Sequence, residues 1–301
     1  MSSLKLAAID IGSNAIRFQV TNVLTYEGQH TFKKLEYVRF PLRLGQDVFT
    51  LKKIGADKED KFFRLMHAFK LLLDLYEVDD YYACATSAMR EAENGFKITE
   101  KVHQLLGLKI KIISGETEAE LINRVVLNNL DPQTYLHIDV GGGSTELNLI
   151  SEGKKIASKS FRIGSVRSIE QIESASFLGE IDDWVKKWIL GKYKNVTAIG
   201  TGGNINKVYE LAKKRKNNRI LYAHDVSRVQ DFVGQYTLEQ RIHVLQLNPD
   251  RADVILPASH IYLYVMKAAK CRKIAVPDVG LKDGIMHMLY ERNLASTQTG
   301  F

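Results

Sequence analysis

Two short segments of the chain share one pattern, in which an apolar stretch delivers an aspartate to a turn of glycine and hydroxyl residues. One is Leu6-Ala7-Ala8-Ile9-Asp10 before Ile11-Gly12-Ser13-Asn14, and the other is Tyr135-Leu136-His137-Ile138-Asp139 before Val140-Gly141-Gly142-Gly143-Ser144-Thr145. Glycines let backbone N–H groups approach an anion, and a cation held by a nearby carboxylate reverses the local charge. The two turns therefore predict a phosphate bound with a divalent cation. Magnesium suits such a site because it takes one or two carboxylates, waters and substrate phosphates.

Other phosphate-binding motifs are absent or fit less well. No G-x-x-x-x-G-K-[ST] sequence occurs, which excludes a P-loop. The second turn is followed by Glu146-Leu147-Asn148-Leu149-Ile150, whose alternation predicts a strand, whereas a dinucleotide-binding loop requires a helix there. Taken alone, either turn is also compatible with an ordinary β-hairpin.

Two segments between the turns also carry candidate residues. Thr86-Ser87-Ala88-Met89-Arg90 lies where a strand gives way to a helix, and helix N-termini attract anions. Arg90 is unfavourable for the helix dipole, so it is either a ligand-binding or a surface arginine. Further on, Glu116, Glu118 and Glu120 begin a helix, where acidic residues need no function because they complement the dipole. One of the three could be a general base, and the residues alone leave open which.

A third strand followed by a glycine turn comes later, at Val196–Asn204, and this turn leads into a helix. Asn204 is the natural cap of that helix. The alternative is that the turn forms a wall for distal phosphates or for a nucleoside.

The predicted elements alternate between strand and helix in the same order in both halves. In the first half we expect strands over 6–10, 16–25, 30–40, 81–85 and 109–113, and helices over 60–76, from 87, and over 115–130. In the second half we expect strands over 135–139, 146–150, 155–161, 195–199 and 273–276, and helices over 176–190, 204–214, 227–247, 258–269 and 281–293. This order predicts a duplicated α/β fold with both turns facing a shared cleft. We place the domains at 1–125 and 126–301, with Asp131-Pro132-Gln133 as the separating segment.

Composition narrows the class of protein. The 301 residues are 45% hydrophobic and 26% charged, which is ordinary for about two globular domains, and no apolar stretch approaches the length that spans a bilayer. The first strand follows Met1–Lys5 directly, so we expect no signal peptide. Cys84 and Cys271 have no C-x-x-C partner and fit a reducing cytoplasm. The net charge of +7, densest over Lys213–Arg219, indicates a polyanionic partner.

Taken in order, these motifs identify a known family. They are Asp10-Ile11-Gly12-Ser13-Asn14, Ala85-Thr86-Ser87-Ala88-Met89-Arg90-Glu91-Ala92, Ile113-Ser114-Gly115-Glu116 and Ile138-Asp139-Val140-Gly141-Gly142-Gly143-Ser144-Thr145-Glu146. The chain closely resembles the exopolyphosphatase / guanosine pentaphosphate phosphohydrolase (Ppx/GppA) family over essentially its whole length. Segments 250–257 and 279–284 resemble the late motifs of that family. The resemblance implies two ribonuclease-H-like domains of the actin, Hsp70 and sugar-kinase superfamily, flanking a cleft.

The resemblance also implies roles for individual residues. Glu118 matches the catalytic glutamate that takes a proton from the attacking water, Asp10 and Asp139 organise Mg²⁺ or Mn²⁺, and Glu146 supports the metal. The predicted phosphate-binding residues are Ser13, Asn14, Arg90, Gly141, Gly142, Gly143, Ser144, Thr145, Ser165, Gly202 and Gly203. Many members have a second glutamate where this chain has Thr117, so a helper acid is either absent or supplied by Glu116.

The resemblance further implies a cytoplasmic hydrolase that acts on polyphosphate or guanosine pentaphosphate as a homodimer, with no membrane or nucleic-acid partner. Long family members continue into helical C-terminal domains that supply a basic channel. This chain ends near residue 301, so we expect the short two-domain form and shorter substrates. Two alternatives remain: an ATP-dependent small-molecule kinase of the same superfamily, with Gly200-Thr201-Gly202-Gly203 facing an adenosine, and a non-catalytic regulatory protein that binds polyanions.

Overall fold

The computed structural model of the chain describes residues 2–127, 131–166, 175–213 and 219–298. Contacts divide the chain into two compact units. Unit 1 is Met1–Val126 together with Gly280–Phe301, and unit 2 is Leu127–Val279. The predicted domains, 1–125 and 126–301, differ from these units at the C-terminal end, because the last segment groups with unit 1.

Unit 1 contains a five-stranded sheet with the strand order β3-β2-β1-β4-β5. Its strands are β1 (Ser2–Ile11), β2 (Ile16–Tyr26), β3 (Gln29–Phe40), β4 (Asp80–Ala85) and β5 (Ile110–Ile112). The helices up to the unit boundary are α1 (Leu44–Leu51), α2 (Ala56–Leu75), α3 (Ser87–Glu91), α4 (Gly95–Leu106) and α5 (Gly115–Leu127). β1, β4 and β5 run parallel to one another, whereas β2 and β3 continue the sheet in antiparallel order.

The core of unit 1 follows from two sequence patterns. Leu6–Ile9 in β1 is a continuous apolar run and is fully buried, as expected for a central strand that is covered on both faces. α2 places Phe62, Met66 and Phe69 on one face by helical spacing, and all three are buried. The Phe69 ring stacks on Phe18 of β2 with centroids 4.8 Å apart, which joins the helix to the sheet.

Unit 2 contains a six-stranded sheet with the strand order β10-β11-β9-β6-β7-β8. Its strands are β6 (Thr134–Val140), β7 (Thr145–Ser151), β8 (Lys154–Phe161), β9 (Thr197–Thr201), β10 (Ile220–Tyr222) and β11 (Lys273–Ala275). Its helices are α6 (Ala175–Trp188), α7 (Gly203–Leu211), α8 (Ala223–Gly234), α9 (Leu238–His243), α10 (Pro249–Ala252) and α11 (Ile255–Ala268). Apart from the added antiparallel β10, the order β8-β7-β6-β9-β11 repeats that of unit 1. The prediction of a duplicated α/β fold is confirmed.

The last helix, α12 (Leu281–Gln298), belongs to unit 1 through specific contacts. Arg292 and Asn293 both donate to the carboxylate of Asp80 at the start of β4. A Cβ at Gly284 would collide with the carbonyl group of Leu121 on α5, so the close approach of the two helices requires glycine. These contacts explain why the helix does not group with unit 2.

Several elements differ from the predicted ones. α1, α4, α10 and β10 were not predicted. The stretch predicted as one helix over 227–247 is two helices, because Thr237 starts α9 with a capping box. Its Oγ1 accepts from the backbone N–H of Gln240 at 3.2 Å, and the Gln240 side chain accepts from the backbone N–H of Thr237 at 2.9 Å. Among the described residues, no helix is both long and apolar enough to cross a membrane.

Candidate functional site

The two aspartate turns have the same backbone geometry, each within its own unit. In residues 10–17, here called the first loop, the Gly12 N–H donates to the Ala15 carbonyl at 3.2 Å. In residues 139–146, the second loop, the Gly141 N–H donates to the Ser144 carbonyl at 2.9 Å. Each aspartate is the second-to-last residue of a central strand, one position before the turn. The duplication seen in the sequence is therefore also a duplication of structure.

The residue opposite each aspartate differs between the loops. Asp10 lies opposite Arg17, and Arg17 Nη1 is 2.6 Å from Asp10 Oδ2. Asp139 lies opposite Glu146. Directly opposite residues of antiparallel strands have Cβ atoms about 4.5–5.5 Å apart. The first loop thus carries an ion pair, whereas the second carries two neighbouring carboxylates.

Ser13 and Arg90 are fixed to the strand ends of unit 1. The Ser13 hydroxyl is buried, lies 2.8 Å from the Ser87 hydroxyl and accepts from the Ala88 N–H at 3.1 Å. Arg90 Nη1 donates to the carbonyl of Ile113, just after β5, at 2.6 Å. Because β1, β4 and β5 are parallel, their carboxyl ends meet at one edge of the sheet. Both predicted phosphate-binding residues therefore lie at the edge where the first loop begins.

Glu118 lies at this edge as well, near the start of α5. Cys84 is fully buried on β4, directly opposite Asp10. Burial raises the pKa of the Cys84 thiol well above its ordinary value, and the negative charges of Asp10 and Glu118 raise it further. Glu116 and Glu120 are exposed, whereas Glu118 is partly buried.

Backbone hydrogen bonds hold the second loop in shape. The carbonyl of Gly141 accepts from the backbone N–H of Ser165 at 2.9 Å and from its hydroxyl at 3.1 Å. The carbonyl of Gly142 accepts from the Val166 N–H at 2.9 Å. A Cβ at Gly164 would collide with the backbone of Gly142, so this contact requires glycine. Ser165 thus supports the predicted phosphate-binding glycines.

The remaining loop residues differ in exposure. Thr145 is fully buried and its hydroxyl donates to the carbonyl of Ile163 at 2.6 Å, so that hydroxyl supports the loop. Gly143 and Ser144 are also buried, while Gly141 and Gly142 are partly exposed. In the first loop, Asn14 is partly exposed and its carbonyl accepts from the Arg43 N–H at 2.9 Å, ahead of α1.

The turn between β9 and α7 contacts the aspartate of the second loop. Gly202 has φ +95°, and a Cβ there would stand 2.9 Å from Asp139 Oδ1. The space beside Gly203 is filled by the guanidinium of Arg251, with which a Cβ would collide. Arg251 Nη1 donates to Asn204 Oδ1 at 2.8 Å, and Asn204 Nδ2 donates to Ser165 Oγ at 3.2 Å. The glycines of this turn therefore make room for Asp139 and Arg251.

Thr201, just before this turn, is held at two atoms. Its carbonyl accepts from the Tyr262 hydroxyl at 2.6 Å, and its hydroxyl lies 2.8 Å from His137 Nε2. Burial raises the pKa of Tyr262, and the negative charge of Asp139 adds to this. Burial lowers the pKa of His137 from 6.5 to about 4, so its imidazole is neutral near pH 7. Tyr262 and His137 thus surround the end of β9, beside Asp139.

The chemistry of the second loop fits a divalent cation. Among the described residues, no group of three or more His, Cys, Asp and Glu side chains could hold a metal by itself. Magnesium does not need one, because it takes one or two carboxylates and completes its shell with water and substrate phosphate. Asp139 and Glu146, opposite each other on β6 and β7, supply two carboxylates. In the first loop, the carboxylate of Asp10 is already paired with Arg17.

Sequence reasoning missed three residues that the structure places at these loops. Arg17 was readable, because a hairpin closing at residues 12–15 puts it opposite Asp10. Arg251 lies in a motif that was recognised, but nothing in the sequence indicates its contact with Asn204. His137 was read only as part of a strand. The basic run Lys213–Arg219 lies outside the described residues from 214 to 218, and Arg219 donates to the carbonyl of Val276.

Comparison with known proteins finds a matching family model and several relatives. A family model described as the Ppx/GppA phosphatase family matches residues 23–293. A bifunctional 3-dehydroquinate synthase/phosphatase of Fusobacterium nucleatum is 28% identical over 83% of the chain and 41% of its own length. A guanosine-5'-triphosphate,3'-diphosphate pyrophosphatase of Photobacterium profundum is 23% identical over 98% of the chain and 63% of its own length. The chain thus spans less than two thirds of these relatives.

Solved structures share the fold over nearly their whole length. An exopolyphosphatase from Cytophaga hutchinsonii has a TM-score of 0.80 at 20% identity, covering 95% of this chain and 98% of its own. The Aquifex aeolicus PPX-GPPA enzyme has a TM-score of 0.76 at 24% identity, covering 95% and 99%. At such identities the likeness concerns the fold, and the two-unit α/β architecture is common to all three.

Proposed function

The chain belongs to the Ppx/GppA phosphatase family, and from this premise we propose that it is a metal-dependent exopolyphosphatase. Its substrates are inorganic polyphosphate, guanosine pentaphosphate or both, and it releases their terminal phosphate. The observation that carries the proposal is the position of Glu118. It lies near the start of α5, at the sheet edge where β1 delivers Asp10 and where Arg90 is held by the Ile113 carbonyl. The proposed general base and a guanidinium that can bind phosphate thus lie at the same sheet edge of unit 1.

In this mechanism Glu118 is the general base. It accepts a proton from water as the water oxygen bonds to the terminal phosphorus, and the P–O bond to the next phosphate breaks. The products are inorganic phosphate and a substrate one phosphate shorter. Positioning and charge neutralisation supply most of the rate in phosphoryl transfer, so a single base that orients water is sufficient. The partly buried position of Glu118 supports this role, because a fully exposed carboxylate would hold water less firmly.

Arg90 and the two loops bind the phosphates. The guanidinium of Arg90, anchored through Nη1 to Ile113, has further N–H groups for phosphate oxygens. The backbone N–H groups of Asn14 in the first loop and of Gly142 in the second suit the same purpose. The hydroxyls of Ser13, Thr145 and Ser165 form hydrogen bonds within the protein. These residues therefore support the loops rather than contact the phosphate.

The divalent cation belongs to the second loop, where Asp139 and Glu146 would hold Mg²⁺ or Mn²⁺. When bound, the ion neutralises negative charge on the phosphate oxygens. Glu146 is 2% exposed and its Oε1 accepts from the Ser160 hydroxyl at 2.8 Å, which fixes that carboxylate. Asp139 is partly exposed and rests against Gly202. The Glu146 carboxylate is therefore fixed inside the protein, whereas Asp139 is partly accessible to solvent.

The proposal extends to location and assembly. Both cysteines, Cys84 and Cys271, are unpaired and buried, which supports the cytoplasmic location proposed from the sequence. A homodimer and the absence of membrane or nucleic-acid partners are parts of the same proposal.

The test is phosphate release from triphosphate, short polyphosphate, long polyphosphate and guanosine pentaphosphate, each with Mg²⁺ and with Mn²⁺. Glu118→Gln should retain the fold and lower turnover by about 10²-fold or more, because the amide cannot accept the proton. Glu120→Gln is the matched control: it makes the same change at an exposed position of the same helix and should act like the wild type.

Two results would contradict the proposal at different levels. If no substrate releases phosphate with either metal, the chain is not an exopolyphosphatase. If phosphate is released but Glu118→Gln turns over as fast as Glu120→Gln, the activity stands and the assigned base is wrong. Circular dichroism of each variant separates either result from misfolding.

A further inference from the structure

The sheet of unit 2 carries a polar row behind the second loop. His137 and Asn148 lie directly opposite each other on β6 and β7, and both are fully buried. Asn148 in turn lies opposite Ser158 on β8. Residues two apart on a strand share a face, so this row lies on the face that carries Asp139 and Glu146. The loop carboxylates and the row therefore occupy neighbouring rungs of one face.

Hydrogen bonds connect the row from solvent to the end of β9. The exposed Ser158 hydroxyl donates to Asn148 Oδ1 at 2.7 Å. Asn148 Nδ2 lies 3.2 Å from His137 Nδ1, and His137 Nε2 lies 2.8 Å from the hydroxyl of Thr201. With Asn148 donating, Nδ1 accepts and the ring proton is on Nε2. His137 is then a donor to Thr201.

The end of the row meets the turn that supports the second loop. Thr201 lies directly opposite Asp139, on the other side from Glu146. The next residue, Gly202, lies against Asp139 Oδ1. Tyr262 holds the Thr201 carbonyl, and His137 holds its hydroxyl. The position of the turn, and with it the space left to the Asp139 carboxylate, is thus fixed at two atoms.

Stability alone does not account for such a row. Burying a histidine and an amide costs free energy unless every polar atom is paired, and an apolar pair would fill the same two strand positions without that cost. We propose that His137, held by Asn148 and Ser158, is a positioning residue for the cation site of the second loop, acting through Thr201 and Gly202 on Asp139. This inference rests on the proposed function, because it assumes that Asp139 binds the metal.

The experiment compares Mn²⁺ binding to the intact chain and its variants, measured by electron paramagnetic resonance of free Mn²⁺ and by calorimetry, without substrate. His137→Val/Asn148→Val replaces the buried pair by two β-branched residues suited to strands, so it should fold. We expect its Mn²⁺ affinity to be about 10–100-fold weaker, the usual effect of losing residues that orient metal ligands. His137→Gln retains a donor for Thr201 and should restore affinity to within about threefold of the wild type.

The matched control is Ser259→Ala, which removes another buried hydroxyl of unit 2. That hydroxyl donates to the Ile255 carbonyl within α11, at 2.8 Å. It should leave Mn²⁺ affinity unchanged. Long-range ¹H–¹⁵N spectra of the wild type should show the proton of His137 on Nε2.

The outcomes are separable. Wild-type affinity in a folded His137→Val/Asn148→Val protein would overturn the positioning role and leave the proposed function intact. A proton on Nδ1 would also overturn it, since Nε2 would then accept from Thr201. If the wild type binds no Mn²⁺ by either method, the metal site itself is refuted, and the positioning role is refuted with it. Weak binding in the valine variant, with rescue by glutamine, supports the proposal.

Discussion

The first and second loops have the same backbone geometry, but the residue opposite the aspartate carries opposite charge in the two. In the first, the carboxylate of Asp10 meets the guanidinium of Arg17, and their charges cancel. In the second, the carboxylate of Asp139 lies opposite that of Glu146, and their charges add. A loop whose aspartate is paired with an arginine suits direct contact with an anion, whereas a loop with two neighbouring carboxylates suits a cation. We propose that the residue opposite each aspartate assigns the anion to the first loop and the cation to the second.

The prediction with the largest expected effect concerns two separate variants, in which one or the other aspartate is replaced by asparagine. Asp139→Asn should abolish detectable Mn²⁺ binding and lower phosphate release by about 10²–10³-fold, because the cation that would neutralise the phosphate oxygens loses one of its two proposed carboxylate ligands. Asp10→Asn should leave Mn²⁺ binding within about tenfold of the wild type, because that carboxylate is already paired. Calorimetry with Mn²⁺ and a phosphate-release assay measure both. Equal loss of binding in the two variants would show that the loops share the metal equally.

The next effect concerns stability. Arg17→Met leaves the carboxylate of Asp10, with its side chain 5% exposed, without its cation. Breaking a buried ion pair costs about 3–5 kcal/mol, and the partial exposure of Arg17 reduces this to about 2–3 kcal/mol of unfolding free energy. Arg64→Met is the control: its pair with Asp60 is exposed on α2 and should contribute less than about 1 kcal/mol. Urea unfolding of both variants gives the comparison, and equal midpoints would refute it.

The smallest predicted effect is a gain in the free energy of unfolding rather than a loss. Without metal, Glu146→Gln removes one of two like charges on opposite strand positions, so the free energy of unfolding should rise by up to about 1 kcal/mol. The same variant should lose the stabilisation that Mn²⁺ gives the wild type, which is about 2.7 kcal/mol at a hundred times Kd. Thermal melts with EDTA and with Mn²⁺ test both statements. A Glu146→Gln protein that melts lower in EDTA, or still gains stability from Mn²⁺, would show that Glu146 is a structural residue.

Local patterns were sufficient to predict most of the sheet. Apolar runs such as 6–9 and the glycine turns after Asp10 and Asp139 depend on neighbours in sequence, so their strands and hairpins were predictable. α4 was missed, although it is a regular helix from Gly95 to Leu106 with a left-handed glycine cap at Gly107. Thr237 and Gln240 form a readable capping box that breaks the predicted long helix in two.

The site was less predictable, because its contacts join distant residues. Among three glutamates at the start of α5, the residues alone could not select Glu118, since all three suit the helix dipole. The position of Glu118 at the same sheet edge as Asp10 and Arg90 depends on the order of strands in the sheet. The bond between Arg251 and Asn204 spans 47 residues, and that between His137 and Thr201 spans 64. No local pattern encodes such pairs.

The return of α12 to unit 1 has a consequence for how the protein is made. Unit 2, Leu127–Val279, is one continuous stretch, whereas unit 1 is interrupted by it. Chains fold as they leave the ribosome, beginning at the N-terminus. Here the unit that begins first must wait, because the helix that contacts β1 and holds Asp80 is synthesised only after unit 2. Unit 2 can therefore fold while unit 1 still lacks the helix that packs on β1 and binds Asp80.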